Sequence, residues 1–345
     1  MMKTPGKHRG KTRRRQRGAA LITALTFVAL AAVLAGASVA LSQTSAKVTK
    51  NLSERACAMY IAEGAASRAM WLVLKDIETN SNRSMSLAGQ EDKTLSQEER
   101  FMADGQSHNF DYYGADASVS IRDAASGFDL SEMSATQALA VVRNVFTKDA
   151  DQAAGLESFL AKLKDYADSD DFASSADGME RKDYAAKKLS PLPRNGRIRF
   201  REEIMIIPGI EDFFKTDEYG RLNDFRPALL DGMKRIPSQN SFYNAPDLLL
   251  RAKLSSTDPR NVDKIIESRD LWRKQGVPLS QSLDPSLMGA LQGSFSFNES
   301  GVYTFVVKAS SDKDTPSCSL VVTVELRKGA LSGKKEINYY EWAFF

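Results

Sequence analysis

Residues 19–41 form an uninterrupted apolar run of 23 residues without a charged side chain, directly behind an eighteen-residue start that carries eight basic side chains and no acidic one. As a helix such a run is about 34 Å long. That is enough to cross a bilayer hydrocarbon core of roughly 30 Å. Basic flanks stay on the cytoplasmic side, so the expected topology is a single pass with the N-terminus inside and the rest of the chain exported. The formal charge of +3 does not describe that exported part, because the start holds eight of the 47 Lys and Arg. Without them 39 bases face 44 acids, a net of −5. A mildly acidic exported chain gives no reason to expect a nucleic-acid partner. Cys57 and Cys318 are the only cysteines, which excludes a disulfide framework or a cysteine-rich metal site. Whether the two pair in an oxidising compartment stays open. Of the two histidines, His8 lies in the basic start and His108 in a polar stretch that reads as a solvated loop. A Ser-His-Asp or Cys-His nucleophile would have to use His108.

The start allows three fates. It can remain as an uncleaved anchor. It can be removed as a secretory signal, with Ala35-Gly36-Ala37 or Ser38-Val39-Ala40 as small-residue cleavage sites. The third fate follows from Arg17-Gly18-Ala19-Ala20-Leu21-Ile22-Thr23, which resembles the cleavage site of type IV pilins and type II secretion pseudopilins. In those families a membrane peptidase cuts after the glycine and N-methylates the new first residue. The resemblance places the cut between Gly18 and Ala19 and keeps the whole apolar run as a helix that packs subunits into a filament.

Beyond Leu41 polarity changes without a helix breaker. Residues 42–77 hold no proline and much alanine, and Leu52, Ala56, Met59, Glu63, Ala66, Met70 and Leu74 recur near helical spacing. One continuous helix from Ala19 to about Ile77 is expected, about 88 Å long. Glu63 on it reads as a surface or capping carboxylate. Residues 80–105 are polar and read as a loop. From Asn109 the alternation of Phe110, Tyr112, Ala117, Val119 and Ile121 predicts a strand that ends at Ala125-Ser126-Gly127. Residues 131–291 read as mainly helical, with core-facing helices over 134–146 and 155–166, further helices over 245–253 and 259–274, and stops at Pro191-Leu192-Pro193, Pro208-Gly209 and Asp258-Pro259. Strands return over 295–297, 302–309, 319–326 and 337–344. Helix, strand, helical block, strands: the order predicts an α+β chain in which one sheet, covered by the long helix, is interrupted by an inserted domain.

The densest run of carboxylates is Asp165, Asp168, Asp170 and Asp171, followed by Asp177, Glu180 and Asp183. Calcium takes six to eight oxygen ligands, yet the spacing is not that of an EF-hand, with neither glycine at the sixth position nor glutamate at the twelfth from Asp168. By residue type alone, a solvated acidic loop and a calcium site both stay open. A second feature, Arg201-Glu202-Glu203-Ile204-Met205-Ile206-Ile207-Pro208-Gly209-Ile210-Glu211, is loosely like a helix-hairpin-helix turn. Acids follow where a phosphate-binding turn would need glycine and bases, so it reads as scaffold.

Several of these stretches, in order, resemble the minor pseudopilin K family of type II secretion (general secretion pathway protein K). They are Ala58–Leu72 on the helix (A-x-x-x-A-E-x-G-x-x-x-A-x-x-L), the strand exit at Gly127-Phe128-Asp129-Leu130, the acidic run, the Pro208-Gly209 turn and Ser241–Leu250. The resemblance covers nearly the whole chain and implies a pilin-like fold. Residues 1–18 are then a leader, 19–41 the membrane part and 42–79 the outer part of one helix. Residues 80–129 supply the loop and first strand, 130–291 an inserted helical domain, and 292–345 the closing strands. It implies calcium in the helical domain, held among Asp165, Asp168, Asp170, Asp171, Glu180 and Asp183, with Tyr166 standing where the family has tryptophan. It also implies a meaning for Thr23, fifth after the cut. Most pilins and pseudopilins have glutamate there, paired with a neighbour's amine. The K family lacks it and caps the filament. On this basis the chain is expected to be a non-enzymatic tip subunit on the inner membrane, its bulk periplasmic. Its implied partners are the minor pseudopilins I and J, the major pseudopilin, the prepilin peptidase and the assembly platform, with cargo or the outer-membrane channel at the tip. A minor pilin of a type IV pilus or uptake system, and an anchored periplasmic hydrolase using the acidic run, remain as alternatives.

Overall fold

A computed structural model describes residues 11–80 (backbone alone for 11–18), 84, 100–112, 115–130, 139–146, 149–190, 193–196, 198, 201–217, 220–226, 239–311, 317–334 and 336–345. Most of the expected loop over 80–105, the first part of the expected helix over 134–146, and Pro191-Leu192 lie outside these residues.

Helix α1, Lys11–Thr79, runs unbroken for 69 residues, about 100 Å. Its only interior glycines past Ala19, Gly36 and Gly64, meet no neighbouring atom, and no proline interrupts the ladder. From Ala19 to Cys57 every side chain is exposed except half-buried Glu54. The buried strip starts at Ala58 and continues through Ala62, Ala65, Ala66, Ala69, Met70, Val73 and Leu74, the i, i+3, i+4 recurrence of one helix face. Leu52 and Ala56, expected on that face, are exposed, because the helix meets the rest of the protein only from Ala58 onward. Small side chains let the helix axis lie close against the sheet.

That sheet has five antiparallel strands in the order β1-β2-β5-β6-β7. Strands β1 (Ser107–Tyr112) and β2 (Ala115–Asp123) form a hairpin where one strand was expected. His108 therefore stands on β1, half-buried with its ring 4.9 Å from Phe101, rather than in a solvated loop. After the two-residue β3 (Asn240–Ser241) and β4 (Phe295–Ser296), which pair with each other, come β5 (Val302–Ser310), β6 (Cys318–Glu325) and β7 (Asn338–Phe344). Register places Ile121, Phe305 and Val322 side by side, with Val119, Val307 and Leu320 as the next row. These rows and the alanine strip of α1 form one core.

The opposite face of the sheet is polar and yet covered. Arg122, Thr304, Thr323 and Glu341 stand in register across four strands. The two threonine hydroxyls hydrogen-bond at 3.0 Å, and Thr323 Oγ1 donates to Glu341 Oε2 at 2.9 Å. Glu341 accepts in turn from Arg221 of the helical block, whose guanidinium is buried.

The helical block, residues 124–301, lies between β2 and β5. Its described helices are α2 (Ala150–Ala167), α3 (Arg181–Ala186), α4 (Asp247–Lys253), α5 (Pro259–Gln275), α6 (Leu279–Ser282) and α7 (Pro285–Ser294). It has its own apolar core, including Phe159, Leu163, Tyr184, Phe214, Phe242 and Trp272. Of the expected helix over 134–146 the described part is 139–146: Leu139 and Ala140 are helical and run into a 3-10 turn, Val141–Asn144, with Leu139 and Val142 buried and Val145 half-buried. Around Pro208-Gly209, Gly209 has φ +97°, a left-handed conformation that favours glycine, and Ile204, Ile207 and Ile210 point into the core. That turn is scaffold. The two ends of the block meet at buried Asp123: Ser300 N and Oγ donate to it at 2.8 and 2.6 Å, and Ala125 N at 2.8 Å. Ala124 N then bonds Val302 O at 2.9 Å.

Candidate functional site

The acidic run occupies the end of α2 and the loop that follows. Asp149 caps the start of α2, accepting from the N–H groups of Asp151 and Gln152, and Leu156, Phe159, Leu160 and Leu163 bury one face of the helix. The helix ends because Asp168 is extended (φ −81°, ψ 177°). The loop then folds back over Asp165, which is completely buried. Ser174 N donates to Asp165 Oδ1 at 3.0 Å, and Gly178 lies so close that a Cβ there would sit 2.1 Å from Asp165 Oδ2. Only glycine leaves room for that carboxylate.

Asp165, Asp168 and Glu180 each offer an oxygen, and these oxygens lie within 4.8 Å of one another. Asp165 Oδ2, Asp168 Oδ1 and both Glu180 oxygens are buried without a hydrogen-bond donor. Buried carboxylates ordinarily find donors, and like charges at this separation disfavour joint ionisation. Burial, followed by the charges of Asp165, Asp168, Asp171 and Asp170, pushes the Glu180 carboxyl up to about 7. Burial, then Asp170 and Asp165, raises Asp168 above the usual carboxylate range. The Tyr184 hydroxyl beneath is buried and without a partner, its pKa raised by burial first and then by Tyr166, Asp165 and Glu180. Chemically the cluster is a set of hard oxygen donors with uncompensated negative charge.

The other three carboxylates of the expected set do different work. Asp170 Oδ1 accepts from Phe172 N at 2.9 Å, and exposed Asp171 accepts from Asn195 Nδ2 at 3.0 Å. Asp183 Oδ2 accepts from Glu180 N at 2.9 Å, which fixes the backbone from which Glu180 reaches into the cluster. Asn195 was not singled out from sequence. It has φ +49°, bonds the Asp170 carbonyl at 2.8 Å as well as Asp171, and keeps a buried Oδ1 without a donor. Its neighbours Arg194 and Gly196 gave it the look of an ordinary turn.

At the other end of the molecule, Gly18 and Ala19 lie inside α1. Thr23 Oγ1 donates to Ala19 O at 2.8 Å, so its hydroxyl is satisfied within the helix. The segment reaches a mean hydropathy of 2.3, and none of it is buried against the protein. This helix is long and apolar enough to cross a membrane. Both thiols are free, Cys57 exposed and Cys318 buried.

No family model matches the chain, and no curated protein sequence does. Among solved structures it is similar to a chain in the crystal structure of the GspK-GspI-GspJ complex of the enterotoxigenic Escherichia coli type 2 secretion system. The superposition covers 86% of this chain and 99% of that one, with a TM-score of 0.50 at 14% sequence identity. The likeness is one of fold: a long N-terminal helix on an antiparallel sheet with a helical block, the pilin-like α+β arrangement.

Proposed function

We propose that the chain is a minor pseudopilin of the K kind, a membrane-anchored subunit at the tip of a periplasmic type II secretion pseudopilus. It initiates or caps the filament with minor pseudopilins I and J and so supports protein export across the outer membrane. The observation that carries this reading is the unbroken α1, exposed from Ala19 to Cys57 and only then seated on a sheet interrupted by a helical block. A subunit that leaves nearly 40 residues of helix bare needs neighbours or lipid to cover them. With residues 1–18 removed by the prepilin peptidase, the assembly platform and the major pseudopilin would meet this bare helix. Uncharged Thr23 asks for no ionic partner from a subunit above, and the block over 124–301 adds bulk that hinders stacking. Both suit a terminal position. The role is one of assembly, without a catalytic step.

Calcium belongs to the same reading. The donorless oxygens of Asp165, Asp168 and Glu180 fit a hard divalent cation in type and charge. These three residues would hold it, and it would supply the positive charge that the cluster lacks. Asp183 orients Glu180 from outside. The same burial argues against a hydrolase built on these three residues, since their clustered oxygens offer no open face to a substrate.

The test is the N-terminal residue and intact mass of the protein recovered from its native membrane. The reading expects a chain that starts at N-methylated Ala19. A start at Ser38 or Leu41, or an intact leader, would overturn it.

A further inference from the structure

The large apolar side chain with the greatest exposure among the described residues is neither in the membrane helix nor on the sheet. It is Phe172, 82% exposed, against 75% for Tyr60 and 71% for Leu21, Leu25 and Leu41 of α1. Its position is enforced. Phe172 N donates to Asp170 Oδ1 at 2.9 Å, and Ser174 N to Asp165 Oδ1 at 3.0 Å. Asn195 Nδ2 clamps the Asp170 carbonyl at 2.8 Å. The peptides on both sides of the ring are thus pinned, and the ring is held out from the loop into solvent. Its loop neighbours Ala173, Ser174, Ser175 and Ala176 are small, so the phenyl group stands clear of them.

The surroundings say what the ring is for. Asp170, Asp171 and Asp177 are exposed in the same loop, and residues 169–179 hold these three acids and no base. The first cation, Arg181, lies 3.9 Å from Asp171. A rigid aromatic anchor inside an acidic collar is complementary to an apolar pocket rimmed by arginine or lysine: the aromatic side chain supplies the affinity and the charges supply orientation and encounter rate. We propose that the loop over residues 169–179 is a docking finger that seats Phe172 in such a pocket on a different protein. Anionic lipid is a poor match, because the collar would be repelled by the headgroups and a single ring is a weak membrane anchor. A second copy meeting loop to loop is also a poor match, since the two sets of exposed carboxylates would repel each other. The inference goes beyond packing through α1, and it does not require the cation, because the pinning hydrogen bonds are within the protein.

The test uses the full-length protein in its native membrane with p-benzoylphenylalanine in place of Phe172, and in parallel in place of Ala176. After irradiation the finger reading expects one discrete protein adduct at 172 and little at 176, mapped to a peptide with apolar residues flanked by lysine or arginine. The purified partner should bind the full-length chain, and Phe172→Ala should weaken that binding by roughly 30-fold or more, with further weakening by salt. An adduct to lipid, an adduct to a second copy, equal yields at 172 and 176, or a Kd unchanged in Phe172→Ala would each overturn the proposal. A chain beginning at methylated Ala19 that gives no adduct at 172 would end this inference while leaving the assembly reading in place.

Discussion

Replacing Glu180 by glutamine should make the protein more stable when calcium is absent, although the wild-type residue is a proposed ligand. The Glu180 carboxyl is pushed from the ordinary 4.5 up to about 7, by burial first and by the surrounding carboxylates second. The folded protein therefore holds this proton more tightly than the unfolded chain. The associated stability is fully present below pH 4.5 and is lost as pH rises through 7. The full difference corresponds to about 3 kcal/mol by linkage. In chelator at pH 8 the ionised side chain imposes this cost, and a neutral glutamine of the same shape does not. At about 2–4 °C per kcal/mol for a unit of this size, Glu180→Gln should melt roughly 6–12 °C above the parent at pH 8 in EGTA. At pH 4 the two should melt together. Calcium should reverse the order by raising the parent and leaving the variant nearly unmoved. Thermal unfolding followed by circular dichroism, with and without calcium across this pH range, reads all of these values. A variant that melts below the parent in EGTA at pH 8, or calcium that stabilises both equally, would refute the argument from buried like charges.

Three further outcomes are expected. Gly178→Ala places a Cβ 2.1 Å from Asp165 Oδ2 and 3.1 Å from the Ser175 carbonyl, so it should cost about 1–3 kcal/mol and weaken calcium binding in titration calorimetry; unchanged affinity would count against the three-residue cluster. Asp123→Ala strands the donors of Ala125 and Ser300 and should cost about 2–4 kcal/mol. Burial holds the Asp123 carboxyl up at about 6, so its stabilisation fades as pH rises through 6, and the penalty measured by thermal melts should be larger at pH 4 than at pH 8. Arg221→Met removes the donor to Glu341 and the guanidinium over the Phe345 ring; a loss of about 1–3 kcal/mol and a splitting of the calorimetric transition are expected, and a single unshifted transition would show that the polar row does not join the two cores.

The parts of the fold that were legible in the sequence are those where one periodicity rules a long segment. Residues 19–77 carry no proline and recur at helical spacing, and α1 follows them from end to end. Val302–Ser310 and Cys318–Glu325 are rich in β-branched and aromatic residues, and they lie within a residue or two of the expected limits. Residues 107–112 were harder. Only Phe110 is buried on β1, so a hairpin edge with little apolar content looked like the lead-in to a single strand. Arg122, Thr304, Thr323 and Glu341 alternate with core residues, but a sequence pattern does not say whether water or another part of the chain covers such a face. At the acidic cluster the residue types were visible and the ligand geometry was not. Asp165 and Glu180 converge only because Gly178 admits a close backbone pass, whereas Asp170 and Asp171, adjacent in sequence to Asp168, spend their oxygens on the loop. Phe172 carried no periodic signal, since one ring among serines, alanines and acids belongs to no face.

The neck at Asp123 and Ser300 bears on how the chain acquires its structure. Ala124 and Val302 are joined by a single backbone hydrogen bond, although 178 positions separate them. Without the block, β1, β2, β5, β6 and β7 form a plain up-and-down meander in which each strand pairs with its successor. The β2–β5 pairing is thus the one sheet contact whose loop-closure entropy depends on what lies between. A collapsed guest with its ends already together shortens that closure to little more than a hairpin turn. The expected order of folding is therefore the block before the central strand pair, with α1 seated on a finished sheet. Such a neck also marks where a lineage could gain or lose the guest without rewriting the host.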